Sequence, residues 1–170
     1  PMSACSKMIK REVLIKSNLR FIKGLIGEDT PWFIDLLQVI KSIKYVDDYI
    51  YCYRCEVPGS ITHTFNEEKY LQYINTTENL IPTVQNSSLS TDAKNSLLSF
   101  VAYQFCIAIA QIHLLDGGIQ QECTERIKRN MWLMHYTLNP KVKAASFVYK
   151  VFGFNALRLL LRLYNEHKRK

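Results

Sequence analysis

The spacing of apolar residues predicts a chain that is helical over most of its length. From Asn66 onward, apolar residues recur every three or four positions, as they do along the buried face of a helix. Polar connectors and connectors containing glycine or proline separate these stretches, and such connectors are typical helix ends. The helices predicted in this part are Glu67–Val84, Thr91–Leu115, Ile119–Thr137 and Val142–Glu166, the last with a break near Gly153.

The first 65 residues predict shorter and more varied elements. A helical rhythm covers Ser6–Ser17, and the loop Lys23–Asp29 leads to Thr30-Pro31, a capping residue and a first-turn proline that open another helix. Tyr45-Val46 and Tyr49–Cys55 are rich in aromatic and β-branched residues, which favours short strands. We therefore expect a mainly α fold with a few short β-strands, divided into residues 1–65 and a compact helical part, 66–170.

Length and composition fit a globular chain with a sizeable core. The 170 residues are 48% hydrophobic and 22% charged, which argues against disordered and fibrous classes. The net charge of +7 suits phosphate-rich ligands, nucleic acid or anionic lipid, although such an excess is also common without any function. The five cysteines are an odd, scattered set and no signal-peptide pattern precedes them, so we expect a reducing compartment, the cytoplasm.

The uncharged stretch Asn95–Leu115 is long enough to cross a bilayer. It nevertheless contains several polar side chains, and Gln104 and Gln111, two turns apart, would share one face of a helix. A buried helix with a polar seam is therefore the better interpretation, with His113 as a core histidine.

Two other patterns could hold a metal, but neither is complete. Cys52-Tyr53-Arg54-Cys55 is an isolated CxxC, without the second cysteine or histidine pair that a structural zinc site needs. The four histidines lack any HxxxH or HExxH spacing. His63 is the one histidine in a predicted loop, where functional residues are common.

Three acidic pairs are candidates for acid–base chemistry: Asp47-Asp48, Glu67-Glu68 and Glu28-Asp29. Adjacent carboxylates are usually solvated or favour the start of a helix, and that explains Glu67-Glu68. The pair Glu28-Asp29 also precedes a helix. Spacing alone therefore leaves its structural and catalytic interpretations both open.

Five short segments follow one another between Ala4 and Thr62. They are Ala4–Arg11 with its lysines, Asn18-Leu19-Arg20-Phe21, Gly27-Glu28-Asp29-Thr30, Tyr51-Cys52-Tyr53-Arg54 and Ser60-Ile61-Thr62. In this order they resemble the K-L-x-K-R, N-x-x-F, E-D, Y-x-Y-R and S-I pieces of family 2 glycosyltransferases of the GT-A fold, which build bacterial capsular and other surface polysaccharides. The resemblance implies that 1–65 is the C-terminal, acceptor-side portion of a GT-A α/β domain and that 66–170 is a helical extension.

The resemblance also implies an inverting transfer of a sugar from a nucleotide-sugar donor to a hydroxyl of a glycan or lipid-linked acceptor. Asp29 would be the general base that deprotonates this hydroxyl, with Glu28 orienting it or contacting the acceptor. Trp32 would offer an aromatic face to a sugar ring, unless it is a core tryptophan. Arg54 would contact the diphosphate, unless it forms a structural ion pair. Ser60 and His63 belong to a loop near the same diphosphate, and His63 is a weak metal candidate.

The resemblance is incomplete at one place that matters for activity. In the family, a D-x-D motif in the nucleotide-binding half binds a divalent metal, Mg or Mn, together with the sugar diphosphate, and this sequence has no equivalent. The chain opens with Pro1-Met2, as an excised fragment would. We therefore expect the chain to bind no metal by itself and to be inactive without a donor half.

The C-terminal helix predicts a separate contact. Leu157, Leu160, Leu161 and Tyr164 share one side, Arg158 and Arg162 lie together, and Lys168-Arg169-Lys170 follow. A basic amphipathic helix of this kind can lie on an anionic membrane, here the inner face, or it can cover the nucleotide-binding half.

A second function, from a different class, is a non-catalytic basic helical module that binds nucleic acid or an anionic protein. The sequence has neither interleaved aromatic and basic residues nor a recognisable reading helix. We therefore expect no nucleic-acid partner.

Overall fold

The computed structural model describes residues 3–48, 51–52, 54 and 65–168. The chain divides into two compact units, Pro1–Asn66 and Glu67–Lys170, next to the boundary expected from the sequence. All regular structure in the described residues is helical, so the mainly α fold is confirmed. The α-helices are α1 Arg11–Lys16, α2 Asp29–Val39, α3 Glu67–Gln85, α4 Thr91–Gln111, α5 Gly117–Arg129 and α6 Pro140–Lys168, and the 3-10 helices are Ala4–Ser6, Ile112–Leu114 and Met131–His135.

The short strands expected before residue 65 do not occur in the described part of the chain. Residues 42–47 have no regular structure, nor do Tyr51, Cys52 and Arg54, and the rest of Tyr49–Cys55 lies outside the described residues. A strand must pair its backbone with a neighbour. The side chains of Tyr45 and Val46 are instead 82% and 64% exposed, so here they line no sheet.

The helix predicted over Ser6–Ser17 is wrong in its first half. A 3-10 helix covers Ala4–Ser6, Lys7 is extended at φ −132° and ψ 140°, and α1 begins only at Arg11. Lys7 turns its ammonium group back onto the carbonyl oxygen of Ser3, 2.6 Å away. This contact, together with the contact between the same ammonium group and the Phe33 ring, favours the extended conformation of Lys7 over a helical one.

Helix α4 is the central element of the second unit. Its first turn is capped by Ser90, whose Oγ accepts the N–H of Ala93 at 3.3 Å. The helix buries apolar side chains on several sides because both α3 and α6 pack against it. Its buried residues include Leu97, Leu98, Val101, Ala102, Phe105, Ala108 and Ile109.

The polar seam predicted on α4 receives tyrosine hydroxyls from α3. The Tyr73 hydroxyl lies 3.1 Å from the backbone oxygen of Gln104 and 2.5 Å from its side-chain Oε1. One turn earlier on α3, Tyr70 donates its hydroxyl to the backbone oxygen of Ala108 at 2.8 Å. These bonds satisfy polar atoms inside the α3–α4 contact, where unpaired ones would be costly. The interpretation of α4 as a buried helix therefore agrees with its packing.

A charged cluster joins α5 to α3. The Arg126 guanidinium contacts Glu78 Oε2 at 2.6 Å and Asn75 Oδ1 at 2.5 Å. The Arg126 side chain is only 15% exposed, so the pair is partly shielded from water. The hydrogen bonds that Arg126 donates to the Glu78 carboxylate raise the pKa of Arg126 above its usual range. Asn130 completes the cluster by donating to Glu78 Oε1 at 3.3 Å.

The helix predicted over Ile119–Thr137 is two elements. Helix α5 ends at Arg129, and Asn130 leaves helical geometry at φ −99° and ψ 5° before the 3-10 helix Met131–His135. Asn130 ends the helix because its side-chain amide donates both to Glu78 Oε1 and to the backbone oxygen of Arg126. The 3-10 helix then buries Met131, Leu133 and Met134.

The break predicted near Gly153 is a reversal of α6. Gly153 adopts φ 78° and ψ −176°, a conformation that essentially only glycine reaches. Residues 141 and 164 would be about 35 Å apart along a straight helix. In the structure the Lys141 Nζ lies 5.9 Å from the centre of the Tyr164 ring. Helix α6 is therefore a hairpin of two segments, 140–152 and 154–168.

Replacing Gly153 by alanine tests whether this backbone conformation is needed. A Cβ at this position would meet no atom within 4 Å, so the cost is conformational alone. We expect Gly153→Ala to lower the free energy of unfolding by about 1–3 kcal/mol, measured by urea denaturation.

Gly118→Ala is the matched control, because a Cβ there also meets nothing within 4 Å but the residue lies within α5. It should raise stability by about 0.5–1 kcal/mol. Equal effects of the two substitutions would contradict a strained reversal at Gly153.

Candidate active site

The loop before α2 is shaped by two glycines. Gly24 and Gly27 have φ values of 81° and 77°, in the left-handed region that favours glycine. Gly27 lies directly before Glu28-Asp29, and its carbonyl oxygen accepts the N–H of Thr30 at 3.2 Å. The left-handed turn at Gly27 thus sets the direction in which the acidic pair enters α2.

Asp29, rather than Thr30, opens the helix. Helix α2 begins at Asp29, and Glu28 stands at the capping position with helical φ and ψ values and no side-chain cap. The Asp29 Oδ1 instead accepts the N–H of Ala4 at 3.1 Å. The predicted capping role of Thr30 is therefore wrong, because the preceding turn already brings Glu28 and Asp29 into helical geometry.

Lys7 lies beside this carboxylate. Its ammonium group is 4.5 Å from the centre of the Phe33 ring, on the first turns of α2, and is bonded to the carbonyl oxygen of Ser3. Partial burial lowers the pKa of Lys7, and attraction to the Asp29 carboxylate partly opposes this effect.

Trp32 lies in the small core of the first unit. Its side chain is 6% exposed, and Phe21 stacks on it with ring centres 4.9 Å apart at an interplanar angle of 27°. This packing favours the core interpretation of Trp32, since the Phe21 ring already covers one face of the indole. Its role as a platform for a sugar stays a prediction.

The other predicted site residues differ in how far the structure describes them. Glu28 is half-buried and adjoins Asp29 in the chain, so the acidic pair is together at the start of α2. Arg54 is exposed. Ser60 and His63 lie outside the described residues.

Two contributors to this site were not assigned a role from the sequence. They are the backbone N–H of Ala4, which anchors Asp29, and Lys7, which places a positive charge nearby. Every residue except proline has a backbone N–H, so the sequence does not reveal which one donates to Asp29. Lys7 does have a signal, since it belongs to the first of the five ordered segments, but its spacing from Asp29 indicates no contact.

The described residues offer no ready metal site. Within 3–48, 51–52, 54 and 65–168, no group of three histidine, cysteine or acidic side chains is placed to hold a metal ion. The cysteines described, Cys5, Cys52, Cys106 and Cys123, are free thiols. His113 has its Nε2 3.7 Å from Glu166 Oε1, and burial is the first cause that lowers its pKa. Within the part of the chain that the structure describes, these side chains do not fit a divalent cation.

Substitutions of Asp29 separate its structural bond from its charge. Asp29→Ala removes the acceptor of the Ala4 N–H, and we expect the first unit to lose about 0.5–1.5 kcal/mol of stability. Asp29→Asn keeps an oxygen acceptor and should cost less. Unfolding can be followed by Trp32 fluorescence in a Trp132→Phe background, because the chain has two tryptophans. An equal loss for both variants would show that the charge, not the hydrogen bond, holds the segment.

No family model matches the chain, and neither a curated protein nor a solved structure matches it. We therefore infer its function from its own residues, from their order along the chain and from the contacts that they make.

Proposed function

We propose that the chain is the acceptor side of an inverting family 2 glycosyltransferase, with Asp29 as the general base. One observation carries the proposal: three of the five ordered segments meet at the start of α2. Ala4 from the first segment bonds to Asp29, and Phe21 from the second stacks on Trp32. The first two segments therefore both contact the helix that the acidic pair opens.

The chemistry proposed for Asp29 follows from how its carboxylate is held. Oδ1 takes the Ala4 N–H at 3.1 Å, and an ionised carboxylate has about four lone-pair sites in all, so acceptor capacity remains. An acceptor hydroxyl within about 2.6–3.2 Å of this carboxylate can lose its proton to it. As the proton moves to Asp29, the hydroxyl oxygen bonds to the anomeric carbon, and the bond from that carbon to the nucleoside diphosphate breaks.

Glu28 and Lys7 complete the immediate surroundings of the base. The Glu28 side chain makes no capping hydrogen bond to α2. In this proposal its carboxylate orients the acceptor or binds a second hydroxyl. Lys7 brings a positive charge close enough to interact with the Asp29 carboxylate. In the same proposal, Arg54, Ser60 and His63 are the residues that would contact the departing diphosphate, for which a guanidinium is well suited.

The first unit has the thin core expected of part of a larger domain. Among its described residues, three large apolar side chains are buried, Trp32, Ile34 and Leu36, all of them on α2. Nine are exposed: Met8, Ile15, Phe21, Ile22, Val39, Ile43, Tyr45, Val46 and Tyr51. So little burial among the described residues would leave a unit of this size with marginal stability by itself, which supports packing against a nucleotide-binding half. That half would supply the D-x-D motif with its divalent metal, which neutralises charge on the diphosphate.

The test needs a protein in which this chain is joined to a donor half, produced from the reading frame extended upstream of Pro1. Release of nucleoside diphosphate from a panel of nucleotide sugars, with glycan and lipid-linked acceptors, measures turnover. We expect Asp29→Asn to lower kcat by about a hundredfold or more, because it removes the base while preserving the shape of the side chain.

Asp35→Asn is the matched control, since Asp35 lies on α2 with its side chain exposed. It should leave turnover unchanged. Unaltered turnover in Asp29→Asn would exclude Asp29 as the base. An upstream frame that encodes no D-x-D, or no activity with any nucleotide sugar, would remove the proposed function as a whole.

A further inference from the structure

Both segments of α6 carry large apolar side chains that the second unit does not bury. They are each between 46% and 66% exposed. We name this set the outer apolar residues of α6; it comprises Phe147, Val151, Phe152, Leu159, Leu160, Leu163 and Tyr164. The same two segments also bury apolar side chains in the second unit, Val142, Ala145 and Leu157. Each segment therefore has some apolar side chains in the core and others in water.

A comparison with α4 shows that this exposure is unusual for so apolar a helix. By length and composition alone, Thr91–Leu114 and Pro140–His167 are both long and apolar enough to cross a membrane. In α4, 61% of the apolar stretch is buried inside the protein, as expected of a core helix. In α6 only 17% of the corresponding apolar stretch is buried. Packing within the second unit thus accounts for the composition of α4 but not for that of α6.

Nearly all the charged residues of α6 are basic. Between Pro140 and Lys168 the sequence has six lysines and arginines and a single acidic residue, Glu166. That residue is already engaged, since Arg162 donates to it at 2.7 Å. Lys143 and Lys150 are exposed on the first segment, which also carries Phe147, Val151 and Phe152. An anionic surface with an apolar layer beneath it complements both features at once.

We propose that α6 binds the surface of an anionic phospholipid bilayer and inserts its outer apolar residues into the headgroup region. Interfaces between proteins are depleted in lysine at their centres. Lysines that extend their charge past an apolar stem are instead typical of helices lying on membranes. A bilayer is therefore a better occupant for this surface than another protein.

The reversal at Gly153 determines how the helix lies on the membrane. A spanning helix needs about 20 residues to cross a core about 30 Å thick. Each α6 segment is about 20 Å long at 1.5 Å per residue, because the chain turns back at Gly153. Neither segment can cross alone, so both lie along the membrane plane. A lipid-linked acceptor would then be held close to the protein.

Vesicle co-sedimentation of the 170-residue chain tests this proposal. The probes are vesicles of phosphatidylcholine alone and of phosphatidylcholine mixed with phosphatidylglycerol. We expect binding to the mixed vesicles only, weakening as salt screens the charges. Leu159→Gln with Leu163→Gln should lower the partition constant by about a hundredfold, since two inserted leucines are lost. Lys143→Gln with Lys150→Gln should lower it by about tenfold or more.

The control pair is Met8→Gln with Ile43→Gln, which removes two side chains that are 92% and 71% exposed but belong to the first unit. These substitutions should leave binding unchanged, and circular dichroism checks that every variant is folded. Absence of binding to the mixed vesicles at low salt would overturn the proposal, as would equal loss in the control pair. A dimer of the wild-type chain that the leucine pair dissociates, with no vesicle binding, would overturn it in favour of a second copy. None of these outcomes depends on Asp29 being a catalytic base.

Discussion

Burial of α4 is the constraint on which the second unit depends. Helices α3 and α6 both pack their apolar sides against it, and the 3-10 helix Met131–His135 also contacts it. Because α4 carries no formal charge from Asn95 to Gln111, its side chains can be buried on several sides without leaving a charge unpaired. The polar atoms that do enter this contact are paired, as when Tyr70 donates its hydroxyl to Ala108. Apolar packing and hydrogen bonding therefore favour the same arrangement of α3 and α4.

The first unit is organised differently, around a polar contact rather than a large core. The bond from the Ala4 N–H to Asp29 joins two parts of the chain 25 residues apart, and Lys7 and Phe33 extend the same contact region. The residue proposed as the base is thus also a structural anchor. Such a dual role keeps a carboxylate in one position, which general-base catalysis requires. It also means that a loss of activity at Asp29 is interpretable only alongside its effect on folding.

The hairpin of α6, on which the proposed membrane contact rests, depends on the backbone conformation of a single residue. Gly153 supplies a backbone conformation that other residues reach only with strain, and the two segments then lie side by side instead of forming one long rod. In a straight helix, the same sequence would have the length and composition of a spanning segment. The reversal changes that outcome because it halves the apolar length available to cross a bilayer. Catalysis next to a lipid-linked acceptor is compatible with this arrangement.

The sequence by itself determined the helical character of the second unit, since the spacing of apolar residues marks α3, α4 and α6 with few errors at their ends. It also singled out Glu28-Asp29, through the order of the neighbouring motifs. Only the tertiary structure decided that Lys7 leaves its predicted helix, that Asn130 divides the predicted Ile119–Thr137 helix, and that Asp29 bonds to Ala4. Lys7 contacts the Phe33 ring, Asn130 donates to Glu78 and Asp29 accepts from Ala4. These partners are distant in the chain, and local spacing does not encode such contacts. For the same reason the break at Gly153 was visible in the sequence, whereas its direction was not: glycine permits a reversal, but the packing of both segments selects it.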